Sequence, residues 1–141
     1  MNVTLFADWT PAMVAAAFTA LKAHCDNMVG KVHYCTPDTP MIGWERCLKG
    51  ELQAAFISGY VFVYDVGPSW GTTKNILYEL ILVKATPEGE FEDLVKGLRH
   101  LAAIYDCYAI EVSNGALRPG LRRLYERAGF TKTNETYTLE V

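Results

Sequence analysis

Several large classes of protein are excluded by what this chain lacks. No run approaches the about 18 consecutive apolar residues that a spanning helix requires, so no membrane partner is expected. The opening residues, MNVTLFADWT, carry no basic cluster ahead of an apolar stretch. A secretory leader is therefore not expected, and a cytoplasmic location is. An excess of positive charge is also missing. The formal net charge is −3, whereas nucleic-acid binders present a basic face, so no nucleic-acid partner is expected despite the local concentration of Arg118, Arg122, Arg123 and Arg127. The four cysteines, Cys25, Cys35, Cys47 and Cys107, form no CxxC pair and read as free thiols of a reducing compartment. With His24 and His33, three of them crowd one region, yet their spacing matches no structural zinc pattern, and no metal is expected. No repeat, low-complexity run or internal linker is visible.

What remains is a chain of 141 residues, 50% hydrophobic and 21% charged. That is enough for one domain, residues 1–141, with a sizeable core. A short first strand is expected over residues 3–6. Thr10 as N-cap and Pro11 as first helical residue start a helix, and Met13, Val14, Ala17, Phe18 and Leu21 carry it to about His24. Residues 27–40 read as loop and 41–48 as a second short helix. Three strands follow, over residues 54–58, 60–66 and 76–84, the first two joined by a turn at Ser58-Gly59. The last of them, ILYELILVK, is the most hydrophobic segment and the expected central strand. Thr86-Pro87-Glu88 resembles a helix start. Phe91, Leu94, Val95, Leu98, Leu101, Ala102 and Tyr105 then hold helical spacing over almost four turns. A strand over 108–112, a helix over 117–128 and one or two closing strands over 131–141 complete the order βααβββαβαβ.

The stretch LRRLYERAGF, residues 121–130, is an amphipathic helix stopped by glycine and followed by an aromatic residue. Read by itself it would bury Leu117, Leu121, Leu124 and Ala128 on one face. It also resembles the C-terminal motif of GNAT-type acetyltransferases, and the order of elements resembles that fold: a single-domain α/β protein with a central mixed, mostly antiparallel sheet flanked by helices. The resemblance implies transfer of an acyl group from acetyl-CoA to an amine, on a small molecule or a protein, by direct attack. Tyr125 matches the tyrosine that protonates the departing thiolate, a role suited to a phenol with a reference pKa of about 10. Glu79 matches a carboxylate that accepts the amine proton, directly or through water. Its neighbours Leu77, Leu80, Ile81 and Leu82 would raise its pKa by desolvation. Backbone groups of Leu82, Val83, Lys84 and Ala85 would hold the pantetheine arm. An asparagine often stands seven residues before the tyrosine; here that position is Arg118, and the nearest asparagine is Asn114, so either is a candidate for contact with the coenzyme.

One segment departs from the resemblance. The expected phosphate loop, of the form Q/R-x-x-G-x-G/A, is replaced by residues 86–93, TPEGEFED, shorter by about four residues, with one glycine and no basic residue. Glu88, Glu90, Glu92 and Asp93 suit the positive end of a helix but oppose a diphosphate arriving there. The alternative is therefore a catalytically inactive protein-binding module of the same fold. Small chains of this kind with eroded phosphate loops occur in bacteriophages, where the task would be binding a host protein. Asp8, Trp9, Trp44 and Trp70 flank expected loops and are candidates for contact with an acceptor or a protein partner.

Overall fold

The computed structural model describes residues 3–114 and 118–141. The sheet is organised by two tight reversals. Strands β2 (Gln53–Ile57) and β3 (Tyr60–Pro68) are joined by Ser58 and Gly59, both at positive φ (47° and 84°). That is the condition for a two-residue turn whose twist matches the strands it joins. β3 then pairs antiparallel with β4 (Asn75–Lys84), and β1 (Val3–Leu5) adds to the other side of β2. β5 (Ala109–Glu111) lies parallel to β4, giving the order β1-β2-β3-β4-β5. The sheet is thus mixed and mostly antiparallel, as expected.

Helices cover both faces because both faces are apolar. α3 (Phe91–Ile104) presents Leu94, Leu98 and Leu101, all fully buried, to Ile57, Phe62, Tyr64 and Leu77. Each such side chain contributes roughly 1.5–3 kcal/mol by leaving water. A Cβ on Gly97 would lie 2.1 Å from Ile57 Cγ2, so α3 approaches β2 more closely than any larger residue permits. On the opposite face α1 (Pro11–Met28) packs Ala17 against Phe56, Val61 and Val83. Thr10 caps α1 by accepting from the Met13 amide at 3.2 Å. α2 (Thr39–Leu48) packs beside α1, and α4 (Pro119–Arg127) follows β5. Among the described residues no helix is long and apolar enough to cross a membrane.

Four expectations need correction. Residues 131–141 form no strand, and Tyr137, Leu139 and Val141 stand largely exposed. Their alternation is strand-like, but strand propensity expresses fit to a neighbouring strand rather than a backbone preference, and none pairs with them. α3 begins at Phe91, not at Thr86-Pro87, because the amides of Ala85 and Thr86 both turn back to the Gly59 carbonyl (2.8 and 3.1 Å). α1 continues past His24 to Met28, since Cys25 and Met28 extend its buried face to meet Cys35. α4 spans Pro119–Arg127, and the expected first residue of that helix, Leu117, lies outside the described residues.

Candidate active site

β4 and β5 run side by side only from Ile76 to Tyr78. Beyond that point β4 continues from Glu79 to Lys84 with, among the described residues, no strand on its β5 side. A bulge sits at the point of parting. Tyr64 pairs with Glu79 and Val63 with Ile81, so Leu80 is the extra residue, left out of the ladder and 43% exposed. Bulges bend a strand and increase its twist, which carries β4 away from β5. In a sheet with parallel strands, the opening beyond their carboxyl ends is where ligands are received.

The opening is held by one residue just past β5. The Ser113 amide donates to Glu79 Oε2 at 2.9 Å, and the Ser113 hydroxyl donates to the same oxygen. The Ser113 carbonyl accepts from the Tyr125 hydroxyl at 3.3 Å. Glu79 and Tyr125, 46 positions apart in the chain, are therefore joined at one loop residue. Burial pushes the Glu79 carboxyl above the usual carboxylate range, and the two hydrogen bonds from Ser113 pull against it. Tyr125 is 8% exposed, with Phe91 and Phe130 packed on its ring at 5.7 and 5.4 Å. Burial pushes its phenol far up, helped by the charge of Glu79 and by Tyr60. Tyr34, in the segment between α1 and α2, is raised by burial and by Cys35 and also senses the charge of Glu79.

The helix that carries Tyr125 does not bury a leucine stripe. Leu124 is 38% exposed, and Tyr125 is the buried side chain among its described residues. Its glycine stop is as the sequence suggests: Gly129 has φ 96°, and the Phe130 amide returns to the Tyr125 carbonyl at 3.0 Å, folding Phe130 onto the tyrosine ring. The motif thus builds a pocket wall for its own tyrosine.

The candidate coenzyme residues are placed unequally. Along β4 the Ala85 amide is donated to Gly59. Antiparallel pairing alternates inward and outward backbone groups, so the amides of Val83 and Ala85 face β3 while those of Leu82 and Lys84 face the open side. The Lys84 ammonium lies over the Tyr60 ring at 5.9 Å. Asn114 donates to the Arg118 carbonyl (2.7 Å) and accepts from the Arg118 amide (2.9 Å), so its side chain is committed to the residue that precedes α4. The Arg118 charge lies close enough to His24 to add to the burial that lowers that imidazole's pKa.

The segment after β4 is closed upon itself. A Cβ on Gly59 would meet Thr86 Oγ1 at 2.4 Å, and one on Gly89 would meet the Ser58 carbonyl at 2.5 Å. Glu88 is solvent-exposed, and its own backbone amide and the Thr86 hydroxyl hold its carboxyl below the usual range. A surface hollow of about 410 Å3 in front of this segment is lined by Thr86, Glu88 and Asp93 together with Ser58 and Gly59. Its polar wall is acidic and hydroxylic, and Val3, Met13 and Phe56 supply an apolar side.

Of the aromatic candidates, Trp9 donates to the Thr4 carbonyl at 3.0 Å and packs on Phe6 and Phe56, and Trp44 packs on Phe6. Both serve the packing around α1 and α2. Trp70 alone is fully exposed. Ser113, Phe91 and Tyr34 are not singled out as site residues by the sequence. Only Ser113 leaves a signal there: it follows directly on the strand expected to end at Val112.

No protein-family model matches the sequence, and no curated protein sequence matches it. Solved structures do match in shape. A ribosomal-protein-alanine N-acetyltransferase from Brucella melitensis biovar Abortus 2308 superposes with a TM-score of 0.67 at 11% identity, covering 99% of this chain and 98% of that one. An acetyltransferase from Trypanosoma brucei gives 0.62 at 9% identity, with 99% and 98% covered. A protein described as a transcriptional regulator from Bacillus halodurans C-125 gives 0.67 at 17% identity, with 99% of each chain covered. The chain has the fold of the GNAT-type acetyltransferases. At these identities the likeness concerns fold alone.

Proposed function

We propose that the protein is an acyl-CoA-dependent N-acyltransferase that moves an acyl group, acetyl in the simplest case, to an amine. The observation that carries this reading is the convergence of Glu79 and Tyr125 on Ser113 where β4 and β5 part. A neutral amine attacks the thioester carbonyl, a C–N bond forms and the C–S bond breaks. Glu79 accepts the amine proton, directly or through water. Its raised pKa makes it a better base than an ordinary surface carboxylate. Tyr125 gives its proton to the departing sulfur, and the proton on Glu79 is returned through solvent to restore the phenol. Leu82 and Lys84 offer outward backbone groups along which the pantetheine arm of acetyl-CoA would lie. The backbone at the Leu80 bulge, the extra residue of β4, would offer a donor to the thioester oxygen as charge develops there. Val83, Ala85, Asn114 and Arg118 would contribute to the coenzyme's surroundings rather than to the chemistry.

The acidic segment at residues 86–93 supports a second reading, in which the fold serves a protein–protein contact, as a phage protein acting on a host protein would, and no coenzyme binds. Calorimetric titration with acetyl-CoA separates the two. Heat with a dissociation constant below about 1 mM, equivalent to about −4 kcal/mol, supports the transferase. Silence at that concentration removes it and leaves the binding module. The ribosomal-protein-alanine acetyltransferase of the same fold makes a peptide α-amine the first acceptor to assay.

A further inference from the structure

Ser113 stands outside every element of the fold, yet it makes three of the hydrogen bonds that define the opening between β4 and β5. Both of its donors go to a single carboxylate oxygen. Its acceptor takes the one hydroxyl on α4 that is buried. We propose that Ser113 is the positioning residue of this site, fixing the Glu79 carboxylate through its amide and hydroxyl and the Tyr125 phenol through its carbonyl. This rests on the acyltransferase reading only for its consequence in turnover; the arrangement itself concerns the free protein.

The arrangement has a physical effect that neither partner has alone. Two donors on Oε2 stabilise the ionised form of Glu79, opposing the burial that favours the protonated form. Ser113 therefore sets how high the carboxyl can rise before it ceases to be a base at neutral pH. Fixing Tyr125 to the same residue keeps the phenol within range of the Glu79 charge. While Glu79 is ionised, loss of the phenol proton is opposed by that charge. Once Glu79 holds the amine proton that part of the opposition is lifted, while burial, the larger cause, remains. The charge thereby favours Glu79 accepting before Tyr125 releases. A carbonyl cannot relay a proton, so the coupling between them runs through charge and position rather than through a proton wire. On the α1–α2 side Tyr34 also senses the Glu79 charge, and burial pushes Tyr34 and Cys25 up, so both stay protonated at neutral pH and bring no positive charge to Glu79.

The test is Ser113→Ala, with Ser113→Thr as the conservative partner, read in two ways. In the apoprotein, carbon-13 NMR of the Glu79 carboxyl should show its titration midpoint moving up in the alanine variant and returning in the threonine variant. In turnover, the acid limb of the kcat/KM profile should move up by the same amount. The rate at a fixed pH on that limb should fall about tenfold for every pH unit by which the midpoint rises, and recover at higher pH. Rescue by threonine marks the hydroxyl as the cause. An unmoved midpoint overturns the proposal, as does a rate lowered equally at all pH values. If no acceptor is acylated at all, the transferase reading fails while the NMR midpoint still decides the role of Ser113.

Discussion

Where β4 leaves β5, a carboxylate, a phenol and a serine that binds both are gathered in a half-buried opening. A few residues further along the same strand, the chain turns back on Gly59, commits its amides there and shows carboxylates to solvent. The first region contains what the proposed acyl transfer would need: a carboxyl with its pKa raised, a phenol kept protonated, and backbone donors on an open edge. The second contains little that a diphosphate needs, since a phosphate site depends on free amides and positive charge. Chemistry and coenzyme delivery are thus separable in this fold. The reacting end follows from strand divergence and side-chain burial, whereas the phosphate end depends on one short loop.

The largest effect is expected at the reacting end. Glu79→Gln should lower turnover by about 10²–10⁴-fold, the usual range for losing a general base. The same substitution should raise stability at neutral pH. Because the folded-state pKa of Glu79 lies above its unfolded value, the folded form binds that proton more tightly. Its favourable contribution is complete below the unfolded pKa, about 4.3, and is lost as pH rises through the folded value. Glutamine, neutral throughout and still able to accept from Ser113, escapes that loss. Thermal unfolding at pH 7.5 should therefore show a higher midpoint for the variant, with the gap closing as pH falls towards 4. Equal midpoints at both pH values would mean that Glu79 is as well solvated as a surface residue.

Tyr125→Phe is expected to cost about 10²-fold in kcat, at the lower end of acid–base contributions, with coenzyme affinity nearly unchanged. The ring still fills its place against Phe91 and Phe130. The loss is a hydrogen bond to a loop carbonyl that water can reach, about 1 kcal/mol of stability. Turnover equal to that of the parent would take Tyr125 out of the mechanism and leave it as a wall of the opening. No alkaline limb from Tyr125 is expected within the working pH range, because its phenol is pushed far above 10.

The reacting end is half legible in the sequence. Glu79 stands out because it interrupts an apolar run, and Tyr125 because helix, glycine and aromatic occur together. Ser113 cannot be found by periodicity, since a loop residue has no face. The bulge at Leu80 is hidden for a related reason: ILYELILVK is apolar almost throughout, and a bulge is visible only as a break in alternation. The charge of the loop after β4 is plain in the sequence, but its shape is not. Thr86-Pro87 carries the composition of a helix start, yet Gly59, far away in sequence, claims the amides. At the end of the chain the strand pattern of Tyr137, Leu139 and Val141 is plain, and the structure supplies no neighbour to express it.

Gly59→Ala perturbs the loop end without touching Glu79, Ser113 or Tyr125. It places a Cβ 2.4 Å from Thr86 Oγ1 at a residue with φ of 84°, so a destabilisation of about 1–3 kcal/mol is expected, measurable by urea unfolding. Glu79 should keep its NMR titration midpoint. A shifted midpoint would show that the two regions are mechanically one, and the separation drawn between them would fall.

The smallest effect concerns the charge of the loop. Replacing Glu88, Glu90 and Glu92 by Gln removes three carboxylates from the approach to α3 and leaves its backbone unchanged. If acetyl-CoA reaches Tyr125 along β4, its diphosphate must pass this segment, and the triple variant should bind about threefold to tenfold tighter at low salt. The gain should shrink as salt shortens the screening length to about 10 Å at 0.1 M. Calorimetry at two ionic strengths reads both. A gain that ignores salt would point to altered loop shape rather than charge. No gain at either salt would mean that these carboxylates face away from the path, and the acidity of the loop would then cease to count against coenzyme binding. The Glu79–Ser113–Tyr125 arrangement would in that case stand as a transferase site without an electrostatic objection.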